Sequence, residues 1–269
     1  MIKLGLIGEK LGHSKSPQIH SMVLGRLGVD AEYALIETPS EKLGEKFDEL
    51  RRNNWTGINV TIPHKINIMQ FLTEVSSEAL RIGAVNTVCF TSDGAKGYNT
   101  DYFGFQKLLC LNNIDPSGKK IAILGIGGGA RAVIHCFEDN NCAEITLVSR
   151  APDKISTDLK TLPKTRTASY AELNKLKGDI IVNCTPLGMF PDIASSPADR
   201  SVLGNFQCAV DIIYNPMQTL FLRYAEDCGL QTAGGMPMLV AQAIAADEIW
   251  LEQKIGDDIL KAIIKEMTK

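Results

Sequence analysis

The chain lacks the features that mark metal, disulfide and membrane proteins. Its cysteines number seven, an odd count, and no two form a C-x-x-C pair. Most sit in apolar runs such as Val88-Cys89-Phe90 and Val182-Asn183-Cys184. That reads as buried free thiols in a reducing compartment, not a disulfide framework. The four histidines, His13, His20, His64 and His135, show no zinc-type spacing, and no metal is expected. No stretch approaches the roughly 20 apolar residues of a membrane span. The opening run from Ile2 to Ile7 is too short for a signal peptide and ends at Gly8. An excess of one charge is missing too: the formal net charge of −3 gives no reason to expect nucleic acid or an anionic membrane as partner. What is present is ordinary for a cytoplasmic globular protein. The 269 residues are 45% hydrophobic and 22% charged, enough for one large domain or two of usual size.

Short β-type runs alternate with helical patterns, which predicts an α/β fold with largely parallel sheets. Residues 2–7 read as a buried strand, and Ser16-Pro17 opens an amphipathic helix with Ile19, Met22, Val23 and Leu27 on one face. A strand at residues 57–62 is stopped by Pro63, and a helix with Pro63 at its first position is expected next. Residues 84–90 and 95–99 read as strands joined by the turn Thr91-Ser92-Asp93-Gly94. From residue 120 a fresh β-α-β pattern begins, so a domain boundary is expected near residue 101. The C-terminal helical tail has no strands of its own and must pack on one of the two domains.

The new unit carries Gly125-Ile126-Gly127-Gly128-Gly129-Ala130 between a strand and a helix. This fits G-x-G-x-x-A, in which glycines allow a tight turn and close approach of backbone to a pyrophosphate on the helix N-terminus. The next strand ends in Ser149-Arg150, where an enzyme using NAD would usually carry an acidic residue for the ribose 2′-hydroxyl. Arg150 suits a 2′-phosphate instead, so NADP is the expected cofactor, against the alternative of a solvated surface arginine. None of the six tyrosines is followed four residues later by lysine, which excludes short-chain dehydrogenase chemistry.

The other chemically suggestive strings lie before residue 102. Thr61-Ile62-Pro63-His64-Lys65 places Lys65 in the first turn of the expected helix, where the dipole disfavours a cation by about 0.3–1 kcal/mol and favours its deprotonation. Such a lysine can exchange a proton with a forming alkoxide, or it is an ordinary surface lysine. In Tyr98-Asn99-Thr100-Asp101, the Asp101 carboxylate either orients that lysine or caps the helix from Tyr102. Ser14 and Ser16 can bind a carboxylate at the next helix start, or Ser16 is only the cap before Pro17.

Taken in order, these strings and three more resemble the shikimate dehydrogenase family along the whole chain. The additional strings are Gly83-Ala84-Val85-Asn86-Thr87, Asn183-Cys184-Thr185-Pro186-Leu187-Gly188-Met189 and Gly235-Met236-Pro237-Met238-Leu239-Val240-Ala241-Gln242. The resemblance implies reversible NADPH-linked reduction of 3-dehydroshikimate to shikimate, in aromatic amino-acid biosynthesis. It implies Lys65 and Asp101 as the catalytic pair, and Ser14, Ser16, Thr61, Asn86, Asp101, Tyr214 and Gln242 as substrate contacts. On the cofactor side it implies Gly125, Ile126, Gly127, Gly128, Gly129, Ser149, Arg150, Lys154, Ile212 and Gly235. It further implies a substrate domain of residues 1–101 completed by helices in 236–269, and a Rossmann-type NADP domain of residues 102–235, in a monomer or homodimer. One departure stands out. The family commonly reads Asn-Arg-Thr-x-x-Arg where this chain has Ser149-Arg150-Ala151-Pro152-Asp153-Lys154, losing a hydroxyl and keeping both positive charges. A quinate/shikimate dehydrogenase of broader substrate or NAD use stays open as an alternative, as does a non-catalytic NADP-binding sensor. A methylenetetrahydrofolate dehydrogenase has related architecture but lacks the Ser14, Ser16 and Asp101 motifs.

Overall fold

The computed structural model describes residues 1–12 and 14–269; His13, one of the four histidines, lies outside them. In chain order the elements begin β1 (Ile2–Gly8), α1 (Ser16–Arg26), β2 (Ala31–Glu37), α2 (Leu43–Arg52), β3 (Gly57–Val60), β4 (Glu74–Val75) and α3 (Ser77–Ile82). They continue β5 (Thr87–Thr91), β6 (Gly94–Tyr98), α4 (Thr100–Leu111), β7 (Lys120–Leu124), α5 (Gly128–Asp139), β8 (Glu144–Ser149), α6 (Thr157–Lys160) and β9 (Thr165–Ser169). The last are β10 (Ile180–Asn183), α7 (Arg200–Leu203), β11 (Cys208–Asp211), α8 (Leu220–Asp227), β12 (Gln231–Ala233), α9 (Met236–Leu251) and α10 (Asp257–Met267). Two compact units result, one of Met1–Gly104 with Val240–Met267, the other of Phe105–Leu239. Among the described residues no helix is long and apolar enough to cross a membrane.

The first unit is built on a six-stranded sheet of order β2-β1-β3-β5-β6-β4. β1 runs parallel to both β2 and β3, whereas β3 with β5 and β5 with β6 are antiparallel, so the sheet is mixed. Apolar side chains leave both faces of β1. Ile7 packs with Phe47 and Leu50 of α2, while Leu4 packs with Leu24 of α1 and with Ala246 and Trp250 of α9. Trp250 donates from Nε1 to the Val88 carbonyl at 2.9 Å. A Cβ at position 57 would lie 2.0 Å from that nitrogen, so only Gly57 lets α9 seat on the sheet.

The helix expected after Pro63 does not form. The Ile62–Pro63 peptide is cis, residues 62–66 make turns, and a short 3₁₀ helix begins only at Asn67. The Lys65 carbonyl accepts from the Val85 N–H at 2.8 Å rather than from its own turn. A tertiary bond thus replaces the first helical one, and Pro63 is no helix N1. Lys65 does not sit on a helix dipole.

The second unit carries a fully parallel sheet of order β9-β8-β7-β10-β11-β12. The order reverses between β7 and β10. In open α/β sheets, ligands bind at the carboxyl ends of the strands at such a switch point. Gly125 follows β7 there, and Cys184 and Thr185 follow β10.

Candidate active site

In the first unit the turn at residues 61–66 delivers Lys65 to Asp101. Lys65 Nζ donates to Asp101 Oδ2 at 2.5 Å, with the side chains 13% and 3% exposed. Asp101 lies in the first turn of α4, where the helix dipole favours a carboxylate. It is not the cap. Asn99 Oδ1 accepts from the Tyr102 N–H at 3.3 Å, and Asn99 Nδ2 holds the Ala84 carbonyl at 2.9 Å. Capping by Asn99 leaves the Asp101 carboxylate for Lys65.

The same unit carries the amides and hydroxyls named in the sequence. Asn86 Oδ1 accepts from the Thr100 N–H at 2.7 Å, one residue before Asp101, and Asn86 Nδ2 donates to Gln242 Oε1 at 3.2 Å. Thr61 is half-buried, its N–H bonded to the Ile7 carbonyl at 2.9 Å. Ser14 and Ser16 are half-buried at the start of α1, where Ser14 Oγ accepts from the Ser16 N–H at 3.2 Å. Ser16 opens the helix and Lys15 holds the cap position without a side-chain bond, so neither serine is the cap. Both hydroxyls are available as donors. Asn99 and Thr100 were missed by motif reasoning, although both lie in the quoted Tyr98-Asn99-Thr100-Asp101 string.

In the second unit the glycine turn is shaped for an anion. Gly125 has φ +88°, and a Cβ there would lie 2.7 Å from Thr185 Cγ2. Gly127 caps α5 with no side-chain acceptor, and nothing lies within 4 Å of the position its Cβ would take. The unpaired N–H groups of that helix start, with no side chain in front of them, fit a pyrophosphate. A Cβ on Gly129 would lie 3.4 Å from Ile212 Cδ1, and one on Gly235 would lie 2.3 Å from the Ile212 carbonyl oxygen. Ile212 therefore stands between the turn and Gly235. Ser149 Oγ accepts from the Ala151 N–H at 3.2 Å and closes its own turn. Arg150 and Lys154 are exposed, and neither has a carboxylate within 4 Å among the described residues. Arg131, which motif reasoning passed over, ties α5 to the segment after β8 through Asp158 (2.6 Å) and Ser156 (2.8 Å). The Arg131 hydrogen bond holds the Asp158 carboxyl down at about 2.

A second missed feature pins the loops after β10 and β11. Asp211, fully buried, accepts from Thr219 Oγ1 at 2.7 Å, the Ile213 N–H at 3.0 Å and Asn183 Nδ2 at 3.1 Å. The available signal is that both apolar strands end on a polar residue, and the register pairs Asn183 with Asp211. Burial raises the Asp211 carboxyl from 3.8 to about 6 despite these bonds. The folded state therefore holds the proton more tightly than the unfolded chain. The stability linked to that proton is full below pH 3.8 and is lost as pH rises through about 6. A displacement of that size is worth about 3 kcal/mol. Asp211→Asn keeps the neutral form at every pH. Its stability relative to the parent should climb by about 2 kcal/mol between pH 4 and 7 in urea unfolding; a flat difference would contradict the assignment. Tyr214 follows on the same loop, half-buried, and burial raises its phenol as well.

Known proteins match both units. The family model for the shikimate dehydrogenase substrate binding domain matches residues 6–88, and one described as NADP oxidoreductase, coenzyme F420-dependent, matches residues 120–204. A curated protein named shikimate dehydrogenase (NADP(+)), from Clostridium beijerinckii, is 40% identical over 96% of this chain and 95% of its own. A solved chorismate mutase/shikimate 5-dehydrogenase fusion protein from Clostridium acetobutylicum is 43% identical. It superposes with a TM-score of 0.94 over 100% of this chain and 97% of that one. The Thermus thermophilus shikimate 5-dehydrogenase solved in complex with NADP(H) and shikimate is 30% identical, with a TM-score of 0.88 over 99% and 100% of the two chains. With such identity sustained from end to end, and with strand order and motifs in accord, the chain belongs to the shikimate dehydrogenase family.

Proposed function

We propose that the chain is a cytoplasmic NADP-dependent shikimate dehydrogenase, interconverting 3-dehydroshikimate and shikimate. The observation that carries this is the Lys65–Asp101 pair, 2.5 Å apart and almost withdrawn from water, beside amides and hydroxyls suited to a polyhydroxylated acid. NADP, when bound, supplies the hydride to the substrate carbonyl carbon and takes it back in the reverse reaction. Lys65 handles the accompanying proton. In reduction its Nζ gives a proton to the oxygen as the C=O bond becomes C–O–H; in oxidation it receives the hydroxyl proton as the carbonyl forms. Asp101 aims Nζ and offers its other oxygen to a substrate hydroxyl.

Ser14 and Ser16 are assigned to the substrate carboxylate, and Thr61, Asn86 and Gln242 to its hydroxyls. Tyr214 is assigned to substrate by family resemblance alone. The glycine turn at residues 125–129 takes the pyrophosphate, with Ile212 and Gly235 beside the nicotinamide. Arg150 and Lys154 take the 2′-phosphate. Ser149 enters as the residue whose hydroxyl shapes that turn.

A spectrophotometric assay with shikimate or quinate and NADP+ or NAD+ tests the reading. Turnover of shikimate with NADP+ is expected, with kcat/KM higher than for NAD+. Binding of NADP+ without turnover would make the chain a sensor. Equal or better rates with quinate or NAD+ would make it a broader paralogue.

A further inference from the structure

The first unit buries a second ionisable pair that the proposed chemistry leaves unused. Asp247 of α9 and His20 of α1, 0% and 1% exposed, meet at 2.7 Å between Oδ1 and Nδ1. Asp247 Oδ2 is buried with no hydrogen-bond partner, so His20 is what this carboxylate serves. His20 Nε2 lies 3.0 Å from Asn59 Oδ1 on β3.

The partners of Asn59 fix the protonation of His20. Asn59 Nδ2 faces the Asn86 carbonyl oxygen at 3.3 Å, which can only accept, and Thr87 Oγ1 at 3.1 Å. Its Oδ1 therefore faces the Tyr33 hydroxyl, which donates at 2.7 Å, and His20 Nε2. An acceptor at that point requires a proton on Nε2. Asp247 Oδ1 and His20 Nδ1 then share one further proton, and wherever it sits the pair is neutral overall and keeps Nε2–H. Without Asp247, a neutral imidazole is able to place its single proton on either nitrogen. In one of the two tautomers a bare Nε2 confronts Asn59 Oδ1.

Asn59 is the hub of a closed ring of bonds. Thr87 Oγ1 donates to Asn86 Oδ1 at 3.1 Å, and Asn86 Nδ2 donates to Gln242 Oε1 at 3.2 Å. Gln242 and Asp247 both belong to α9, so the path from Asp247 through His20, Asn59, Thr87 and Asn86 returns to the helix it left. The Tyr33 ring stacks on His20 with centroids 4.2 Å apart. Two residues assigned above to the substrate, Asn86 and Gln242, thus hang on one tautomer-locked histidine.

We propose that Asp247 and His20 are positioning residues for the substrate site, locking the Asn59 amide and through it the donors and acceptors of Asn86 and Gln242. The inference rests on the shikimate dehydrogenase reading. Buried networks of this kind have one satisfied arrangement, and a half-satisfied one loses order at its far members.

The test compares wild type with Asp247→Leu, His20→Leu and Asp247→Asn. Leucine at 247 lies on α9 between Ala246 and Trp250, which belong to the apolar core, and replacing a buried charge by an apolar side chain of similar size is often tolerated. KM for shikimate should rise about tenfold or more in D247L and H20L, the effect of one misplaced buried hydrogen bond. KM for NADP+ should stay within about twofold. D247N, whose Nδ2 can donate to Nδ1 and so preserve Nε2–H, should return KM to within about threefold of wild type. A folded leucine variant with wild-type KM for shikimate overturns the proposal. So does an equal rise in both KM values, a D247N variant no better than D247L, or failure of both leucine variants to fold. Absence of shikimate turnover in the wild-type protein would instead sink the activity on which the proposal rests.

Discussion

Lys65→Ala should lower kcat for shikimate oxidation by about 10³-fold, within the 10²–10⁴ range of a positioned acid–base group, while KM for shikimate changes little. The expectation follows from where Nζ points. At 2.5 Å from a carboxylate that is 3% exposed, it cannot serve as a solvating surface group. Substrate binding is distributed over serine, threonine and amide side chains, so removing Lys65 takes away the proton exchange more than the binding. Stability should fall too, because Asp101 would be left charged, buried and without its partner. Breaking a buried pair on one side typically costs about 3–5 kcal/mol. The double variant Lys65→Met with Asp101→Asn removes both charges and should recover much of that stability while remaining inactive. Steady-state kinetics and urea unfolding on the same preparations separate the two effects. Near-normal kcat in the single variant would return Lys65 to the surface-lysine reading, whatever its stability.

Lys65 also shows what could and could not be read from residues alone. The string Thr61-Ile62-Pro63-His64-Lys65 singled out the residue and misjudged its local structure. Pro63 after a strand suggested a helix start, because local rules favour proline at N1. The decisive bond is the one from Val85 N–H to the Lys65 carbonyl, 20 residues along the chain, and no local pattern contains it. The central strands of the second unit were legible because they are buried on both faces and read as continuous apolar runs, such as Ile121-Ala122-Ile123-Leu124. Its edge strands were not. β9, Thr-Arg-Thr-Ala-Ser, and β12, Gln-Thr-Ala, each pair with a single neighbour and show no apolar run. The same contrast holds in the site. Glycine strings and the Lys65 and Asp101 motifs announce themselves. His20, Asn59 and Asp247 are scattered over α1, β3 and α9, and only the fold makes them neighbours. Asp247 follows the apolar run Ala243-Ile244-Ala245-Ala246, but Glu248 beside it makes the pair look like an exposed acidic patch, and only the fold shows that Asp247 is buried and needs a partner.

Arg150→Asp should shift the ratio of kcat/KM for NADP+ over NAD+ by about 10³-fold toward NAD+. Two effects combine. Arg150 is exposed just past the end of β8 with no carboxylate within 4 Å among the described residues, so its charge is unclaimed within the chain. A hydrogen bond from such a guanidinium to a phosphate contributes about 1.5–3 kcal/mol, or roughly 10–100-fold. The substituted aspartate then repels the 2′-phosphate and accepts from the ribose 2′-hydroxyl that NAD carries in its place. Lys154 retains one positive charge on the 3₁₀ turn at Pro152–Lys154 and softens the loss. Adding Lys154→Ala to Arg150→Asp should therefore widen the shift further. The Lys65–Asp101 pair is untouched, so kcat at saturating NAD+ should match wild type, which separates altered recognition from a damaged fold. The missing hydroxyl at Ala151 makes the experiment sharper. With Ser149 Oγ engaged by the Ala151 N–H, preference for NADP rests on Arg150 and Lys154 more heavily than in relatives with threonine there. A change in the cofactor ratio of less than about tenfold would mean that Arg150 is solvated surface and that the 2′-phosphate is held elsewhere.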